Sequence, residues 1–187
     1  MPDEEPLIIV SNRGPTQFDR GPGGERIVRR GGGGLVTALS GLAGHRRVLW
    51  VASAMTEEDV AISEEAGGPV EVELEGITYD VELVASEPIA YDLFYNVIAN
   101  PHLWFIQHYL WDLSNAPDIR AEEKEAWERG YTVVNEDIAR AVINRIEGQE
   151  SPLVMLHDYH LYTAPGLIRA ARPDAFLHHF VHIPWPH

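Results

Sequence analysis

The segment SPLVMLHDYHLYTAPGLIRAARPD at 151–174 carries an apolar run, 153–156, followed by His157, Asp158, Tyr159 and His160 in succession. Two histidines with a carboxylate between them offer three chemistries: a metal site, a catalytic pair, or a polar rim for a sugar. A metal site needs three or more ligands in fixed geometry. His178, His179 and His182 are the residues that could complete one. Alternate residues of a strand face opposite sides, so His178 and His182 share one side and His179 takes the other. No convergent set is obvious, and no metal is expected. Asp158 at one strand end and His182 at the end of the next instead point into one crevice. There a carboxylate accepts from sugar hydroxyls, and an imidazole donates to a carbonyl or phosphate oxygen.

A second group of candidates lies near the N-terminus. Arg13 follows the apolar run 7–10, and Gly31, Gly32, Gly33 and Gly34 precede a predicted helix. Free N–H groups at a helix N-terminus cradle phosphate, and glycine permits close approach. The spacing is neither a P-loop nor a clean GxGxxG. An arginine fork at a strand end suits phosphate. Arg20, Arg26, Arg29 and Arg30 share this glycine-rich corner, which reads as a place for an anionic small molecule. A third group is aromatic: Tyr95 and Trp104 flank Asn96, Asn100 and His108. Aromatic faces beside amides suit the C–H faces and hydroxyls of a sugar, while most of the remaining aromatics there read as core.

The elements that must position these residues alternate. Runs at 7–10 and 48–51 read as buried strands, with a long loop over 13–34 and a helix over 35–42 between them. An acidic helix over 57–65 precedes two short strands, 70–74 and 79–83, around Gly76. A helix over 89–98, another short one after Pro101, and a long helical segment over 121–146 follow. The chain then reads strand 152–156, helix 161–171 and strand 175–183. This alternation predicts an α/β fold with a Rossmann-like, doubly wound, mostly parallel sheet. Because ligands sit beyond the C-terminal ends of such strands, a sequence closing on HIPWPH directly after a strand reads as the front part of a longer chain.

Bulk properties bound the rest. The chain has 187 residues, 45% of them hydrophobic, which suffices for one large domain. It has no cysteine, which excludes disulfides, thiolate catalysis and thiolate-bound zinc or iron–sulfur sites. The net charge is −15, and residues 48–119 hold 14 Asp/Glu with no Lys or Arg. Such a surface repels nucleic acid and anionic lipid. The opening MPDEEPLIIV lacks the marks of a signal peptide, and no apolar stretch approaches a membrane span. A cytoplasmic protein is expected.

VSNRGP at 10–15, GGGLVTAL at 32–39, FYNVIANPHLWFIQHY at 94–109, GYTVVNEDIARAV at 130–142, HDYHL at 157–161 and HIPWP at 182–186 together resemble the trehalose-6-phosphate synthase family, in order and spacing along essentially the whole chain. That family comprises retaining sugar-nucleotide glycosyltransferases with two Rossmann domains, the GT-B class. The resemblance implies that residues 1–187 form the N-terminal, acceptor-side domain. It implies transfer of glucose from a nucleotide sugar, UDP-glucose expected, to glucose 6-phosphate. Arg13 would contact phosphate on either substrate, and Gly33 and Gly34 would offer amides to the donor diphosphate. Tyr95, Trp104 and Asp158 would hold the phosphosugar, His182 would lie near the transferred sugar and assist its departure or positioning, and His182, Asp158 and Arg13 would be the catalytic residues. No carboxylate nucleophile and no cofactor are implied. The partners implied are the two substrates and a C-terminal nucleotide-sugar domain, with a homo-oligomer left open. Without that second domain the 187 residues would be inert.

Two positions depart from the family pattern. Ser53 in WVASA stands where a W-x-G-W motif would place its second tryptophan, and LWFIQHY replaces L-W-P-x-F-H-Y. The first change falls beside the expected acceptor pocket. It leaves room for another acceptor, such as glycerol 3-phosphate or a cyclitol phosphate. A non-catalytic binding module is the alternative of a different class.

Overall fold

The computed structural model describes residues 5–32, 36, 39, 46–74, 76–110 and 119–185. Its main sheet contains β1 (Leu7–Ser11), β4 (Val48–Ser53), β5 (Val70–Leu74), β6 (Ile77–Val84), β7 (Leu153–His157) and β8 (Phe176–Phe180), in the order β5-β6-β4-β1-β7-β8. Every neighbouring pair is parallel except β5–β6, a hairpin closed at Gly76 in the left-handed region (φ 77°). The sheet is thus α/β and mostly parallel, as the alternation predicted. β1 is buried at every residue. Ile8 and Val10 enter a core with Phe94, Tyr131 and Ile138, and Leu7 and Ile9 enter one with Trp50 and Ile62. A strand covered on both faces reads as an unbroken apolar run.

The order defines where a ligand site belongs. From β1 the chain adds β4, β6 and β5 to one side, then returns to place β7 against the other side of β1. The connections at the C-terminal ends of β1 and β7 therefore diverge, leaving a crevice between them. Ser11–Asn12–Arg13 leave from one strand and His157–Asp158 from the other.

Two expectations are corrected. Residues 13–34 are not one long loop, because β2 (Thr16–Arg20) and β3 (Arg26–Arg30) form an antiparallel hairpin within them. Helix α1 (Glu57–Ala66) anchors this hairpin. Asp59 in its first turn closes a capping box with Thr56 and also accepts from Phe18 N at 2.8 Å. Arg20 and Arg26 both reach Glu58, at 2.7 and 2.6 Å, and Arg29 reaches Asp19 at 3.1 Å. These cations serve the hairpin and its helix rather than a free anion site. Of the helix expected over 35–42, Val36 and Leu39 are described, both helical and buried, whereas Gly33 and Gly34 lie outside the described residues.

The second correction concerns Pro101, which does not separate two helices. Helix α2 opens at Pro88–Asp92, continues as a wide π-helical stretch Leu93–Trp104 and closes at Phe105–Gln107. Proline lacks a backbone N–H, so one hydrogen bond of the π-helical ladder is missing there. The helix continues through it, and the His102 ring adds a bond of its own, Nδ1 donating to Val97 O at 2.5 Å. Helix α3 comprises Ala121–Ala126, a π-helical turn Trp127–Tyr131 and Thr132–Arg145, and α4 is Ala164–Ala171.

α2 and α3 are in close contact at Gly130. A Cβ there would lie 2.5 Å from Leu93 Cβ and 2.7 Å from Phe94 N. Because one obstacle is backbone, Gly130→Ala must move one helix. Chemical denaturation is expected to show a loss of about 1–3 kcal/mol. An unchanged midpoint would contradict this helix contact.

Candidate active site

A cavity of about 410 Å³ occupies the crevice between β1 and β7, and Arg13, Tyr95, Asp158 and His182 all line it. Each arrives by a different route. Ser11 shapes the turn after β1, since its Oγ donates to Arg13 O at 2.6 Å and accepts from Trp50 Nε1 at 2.7 Å. The Arg13 guanidinium leaves that turn and donates to Tyr95 Oη at 3.0 Å. This bond raises the arginine further above neutrality. Burial would push the Tyr95 phenol up, but its bonds to Arg13 and Asn100 prevail and hold it below its ordinary value.

Asp158 is reached by a strained backbone. Its φ of 74° and ψ of 171° lie in a region essentially reserved for glycine. Strand β8 holds it there: Asp158 N donates to Phe180 O at 2.8 Å, and His179 Nε2 donates to Asp158 O at 2.9 Å. The carboxylate accepts from Tyr159 N at 3.1 Å and starts a short 3₁₀ turn, Tyr159–Leu161. His179 is therefore satisfied by neighbouring backbone.

The turn is clasped from below by two residues absent from the sequence-based candidates. Tyr131 Oη donates to Tyr159 O at 2.6 Å and accepts from Tyr162 N at 3.0 Å. One turn later in α3, Asn135 Nδ2 donates to His160 O at 3.0 Å, and its Oδ1 accepts from Ala164 N at 3.1 Å. Their signal in the sequence is a hydroxyl and an amide, four apart, on an otherwise apolar helix face. Tyr159 Oη donates to Asn100 Oδ1 at 2.9 Å, which ties the turn to α2.

The histidines divide between two environments. His157 Nδ1 and His182 Nε2 lie 3.1 Å apart, so one ring must donate and the other accept. Burial, reinforced by His182, pushes His157 down to about 4. His160 lies between Tyr95 and Tyr159, with ring centroids at 5.9 and 4.1 Å. Burial, followed by the nearby Arg13 charge, pushes it down to about 3. Both rings are neutral near pH 7, so neither adds a charge beside Arg13 and Asp158 in the cavity lining. Trp104 is not brought there: it is exposed and packs on His108 at 4.1 Å.

Chemically, this is a positioning site. Arg13 offers a fork to a phosphate, Asp158 accepts from hydroxyls, and His182 stands across the mouth. Among the described residues, Asp158 is the only carboxylate lining the cavity. They therefore do not build the paired carboxylates of a double displacement.

The Rossmann-like, mostly parallel sheet is of the kind found in GT-B trehalose-phosphate synthases. An E. coli trehalose-6-phosphate structure bound with UDP-2-fluoro glucose superposes with a TM-score of 0.64 at 24% identity, covering 96% of this chain and 33% of the other. A Burkholderia xenovorans α,α-trehalose-phosphate synthase in complex with glucose-6-phosphate gives 0.61 at 23% identity, covering 96% and 34%. The sequence profile of glycosyltransferase family 20 matches residues 5–187. The chain belongs to that family.

Two curated relatives differ in chemistry. The validamine 7-phosphate valienyltransferase of Streptomyces hygroscopicus subsp. jinggangensis is 30% identical over 182 residues, covering 96% of this chain and 36% of that protein. The trehalose-6-phosphate synthase of Mycobacterium ulcerans is 33% identical over 181 residues, covering 96% and 33%. The chain thus spans about a third of the length of the curated relatives it matches.

Two measurements test the site. Tyr131→Phe deletes the hydroxyl shared by Tyr159 and Tyr162, and should lower stability by about 1–3 kcal/mol and speed exchange of the Tyr162 amide. Unchanged exchange would contradict the clasp. The unfolded chain binds protons at His157 and His160 from about pH 6.5 downward, the native chain only towards about 4 and 3. Stability from these groups is therefore fully present above about pH 6.5 and is lost as the pH falls through that window. Urea midpoints at about pH 7 and pH 5 should show this loss, and His160→Phe should reduce it. An equal loss in the variant would contradict a neutral, buried His160.

Proposed function

We propose that this chain is the N-terminal, acceptor-side domain of a retaining hexosyltransferase that moves glucose from UDP-glucose to glucose 6-phosphate, forming trehalose 6-phosphate. The observation that carries the reading is the convergence of Arg13, Tyr95, Asp158 and His182 on one cavity at the β1/β7 switch point. Arg13 holds a phosphate, assisted by Tyr95, and Asp158 orients the acceptor hydroxyls. Gly33 and Gly34 supply amides to the donor diphosphate, whose nucleotide is held by a C-terminal domain. Trp104 reaches the acceptor only if its end of α2 closes over the cavity.

Transfer breaks the bond between the sugar anomeric carbon and the diphosphate oxygen and forms one to the acceptor oxygen on the same face. The acceptor proton passes to the departing diphosphate. His182 steadies the transferred sugar as it leaves. Catalysis comes from placing two substrates and stabilising charge on the leaving group. No cofactor is involved, and the reaction belongs to the cytoplasm.

A second reading keeps the chemistry and changes the acceptor to a cyclitol phosphate or glycerol 3-phosphate. Ser53 supports it, standing buried beside the cavity rim where the family pattern has tryptophan. So does the similarity to the valienyltransferase.

The test uses protein carrying both domains and follows nucleoside diphosphate release from UDP-glucose with glucose 6-phosphate, glycerol 3-phosphate or a cyclitol phosphate. Release should depend on one of these acceptors. Asp158→Asn should lower it at least about tenfold with an unchanged circular dichroism spectrum. Full activity in that variant would remove Asp158 from the acceptor site, and no release with any acceptor would overturn the reading.

A further inference from the structure

Beside the main cavity, and sharing Arg13 and Gly32 with it, lies a notch of about 10 Å³. Ser53 and Thr16 line it, each 3% exposed. Ser53 Oγ and Thr16 Oγ1 are buried without a hydrogen-bond partner in the protein. Their backbones are committed elsewhere: Ser53 N donates to Asn12 O at 3.2 Å, and Thr16 pairs with Arg30 in the hairpin. Two buried hydroxyls without partners cost about 1–3 kcal/mol each. Their presence on one small cavity points to a group that bonds them.

Size and charge restrict that group. A notch of about one probe sphere admits a single oxygen, not a phosphate. Asp59 also lines it, its carboxylate already accepting from Phe18 N, Met55 N and Thr56 N at 2.8, 2.9 and 3.2 Å. An acceptor-only carboxylate disfavours an anionic oxygen beside it. Serine and threonine hydroxyls both donate and accept, so a hydroxyl, which does the same, suits the notch.

We infer that the Ser53–Thr16 notch takes one hydroxyl of a polyhydroxylated phosphate ester whose phosphate is held by Arg13, making Ser53 and Thr16 specificity-determining residues for the acceptor. A water fills the notch when no ester is bound. This inference rests on the proposed acceptor site and adds which part of the acceptor is read there.

Two experiments on the 187-residue chain decide it. A crystal structure without ligand should show a water within about 3.2 Å of both Ser53 Oγ and Thr16 Oγ1. A dry notch, or hydroxyls turned onto backbone carbonyls, overturns the inference whatever the enzyme's substrate. Calorimetric titration then compares glucose 6-phosphate and glycerol 3-phosphate with inorganic phosphate. Ser53→Ala and, independently, Thr16→Val should weaken the better-bound ester about three- to tenfold and leave inorganic phosphate unchanged. Esters that bind wild type and both variants alike overturn the inference alone. If neither these esters nor a cyclitol phosphate binds protein carrying both domains, the acceptor-site reading fails and takes the inference with it.

Discussion

Asp158 holds a backbone conformation that residues with a side chain avoid, at a cost of about 1–3 kcal/mol. The rest of the site is arranged around that turn. β8 accepts and donates to its peptide groups through Phe180 and His179. α3 grips the following residues through Tyr131 and Asn135, and α2 reaches them through Asn100. Three elements thus stabilise one turn, Asp158 to His160, and the result is a carboxylate lining the crevice between β1 and β7. Strain confined to one residue and offset by surrounding bonds is how a scaffold holds a functional group where relaxed backbone would not.

Electrostatics follow from the same packing. His157 and His160 are buried against the turn and stay neutral, so neither adds a charge to the arginine and carboxylate that line the cavity. Arg13 is oriented from the opposite strand by Ser11, Trp50 and Tyr95. A substrate carrying a phosphate at one end and hydroxyls at the other matches this polarity. That polarity accords with the acceptor class proposed above.

The sheet was legible because its strands are apolar runs and its helices are periodic. The crevice was legible because Asp158 and His182 stand near the ends of adjacent strands. The β2–β3 hairpin was not, since glycines and four arginines mask its short alternation, and its pairing depends on Glu58 and Asp59 some 30 to 40 positions away. The unbroken α2 was hidden because its π-helical stretch runs on through Pro101, where a proline ordinarily ends a helix. Tyr131 and Asn135 sit on an otherwise apolar, buried helix face, and only their polar atoms distinguish them. Trp104 was an inference from composition and resemblance, and the helix carries it to a different surface.

The central claim is that strain at Asp158 is maintained to place its carboxylate. Comparing Asp158→Gly with Asp158→Ala tests it most directly, because both lose the carboxylate and only alanine keeps the strained φ. At ordinary positions alanine is the more stable by about 0.4–1 kcal/mol. Here the glycine variant should be the more stable by about 1 kcal/mol or more in urea denaturation, and both variants should lose phosphosugar binding. An alanine variant as stable as the glycine one, or retained binding in either, would contradict the account.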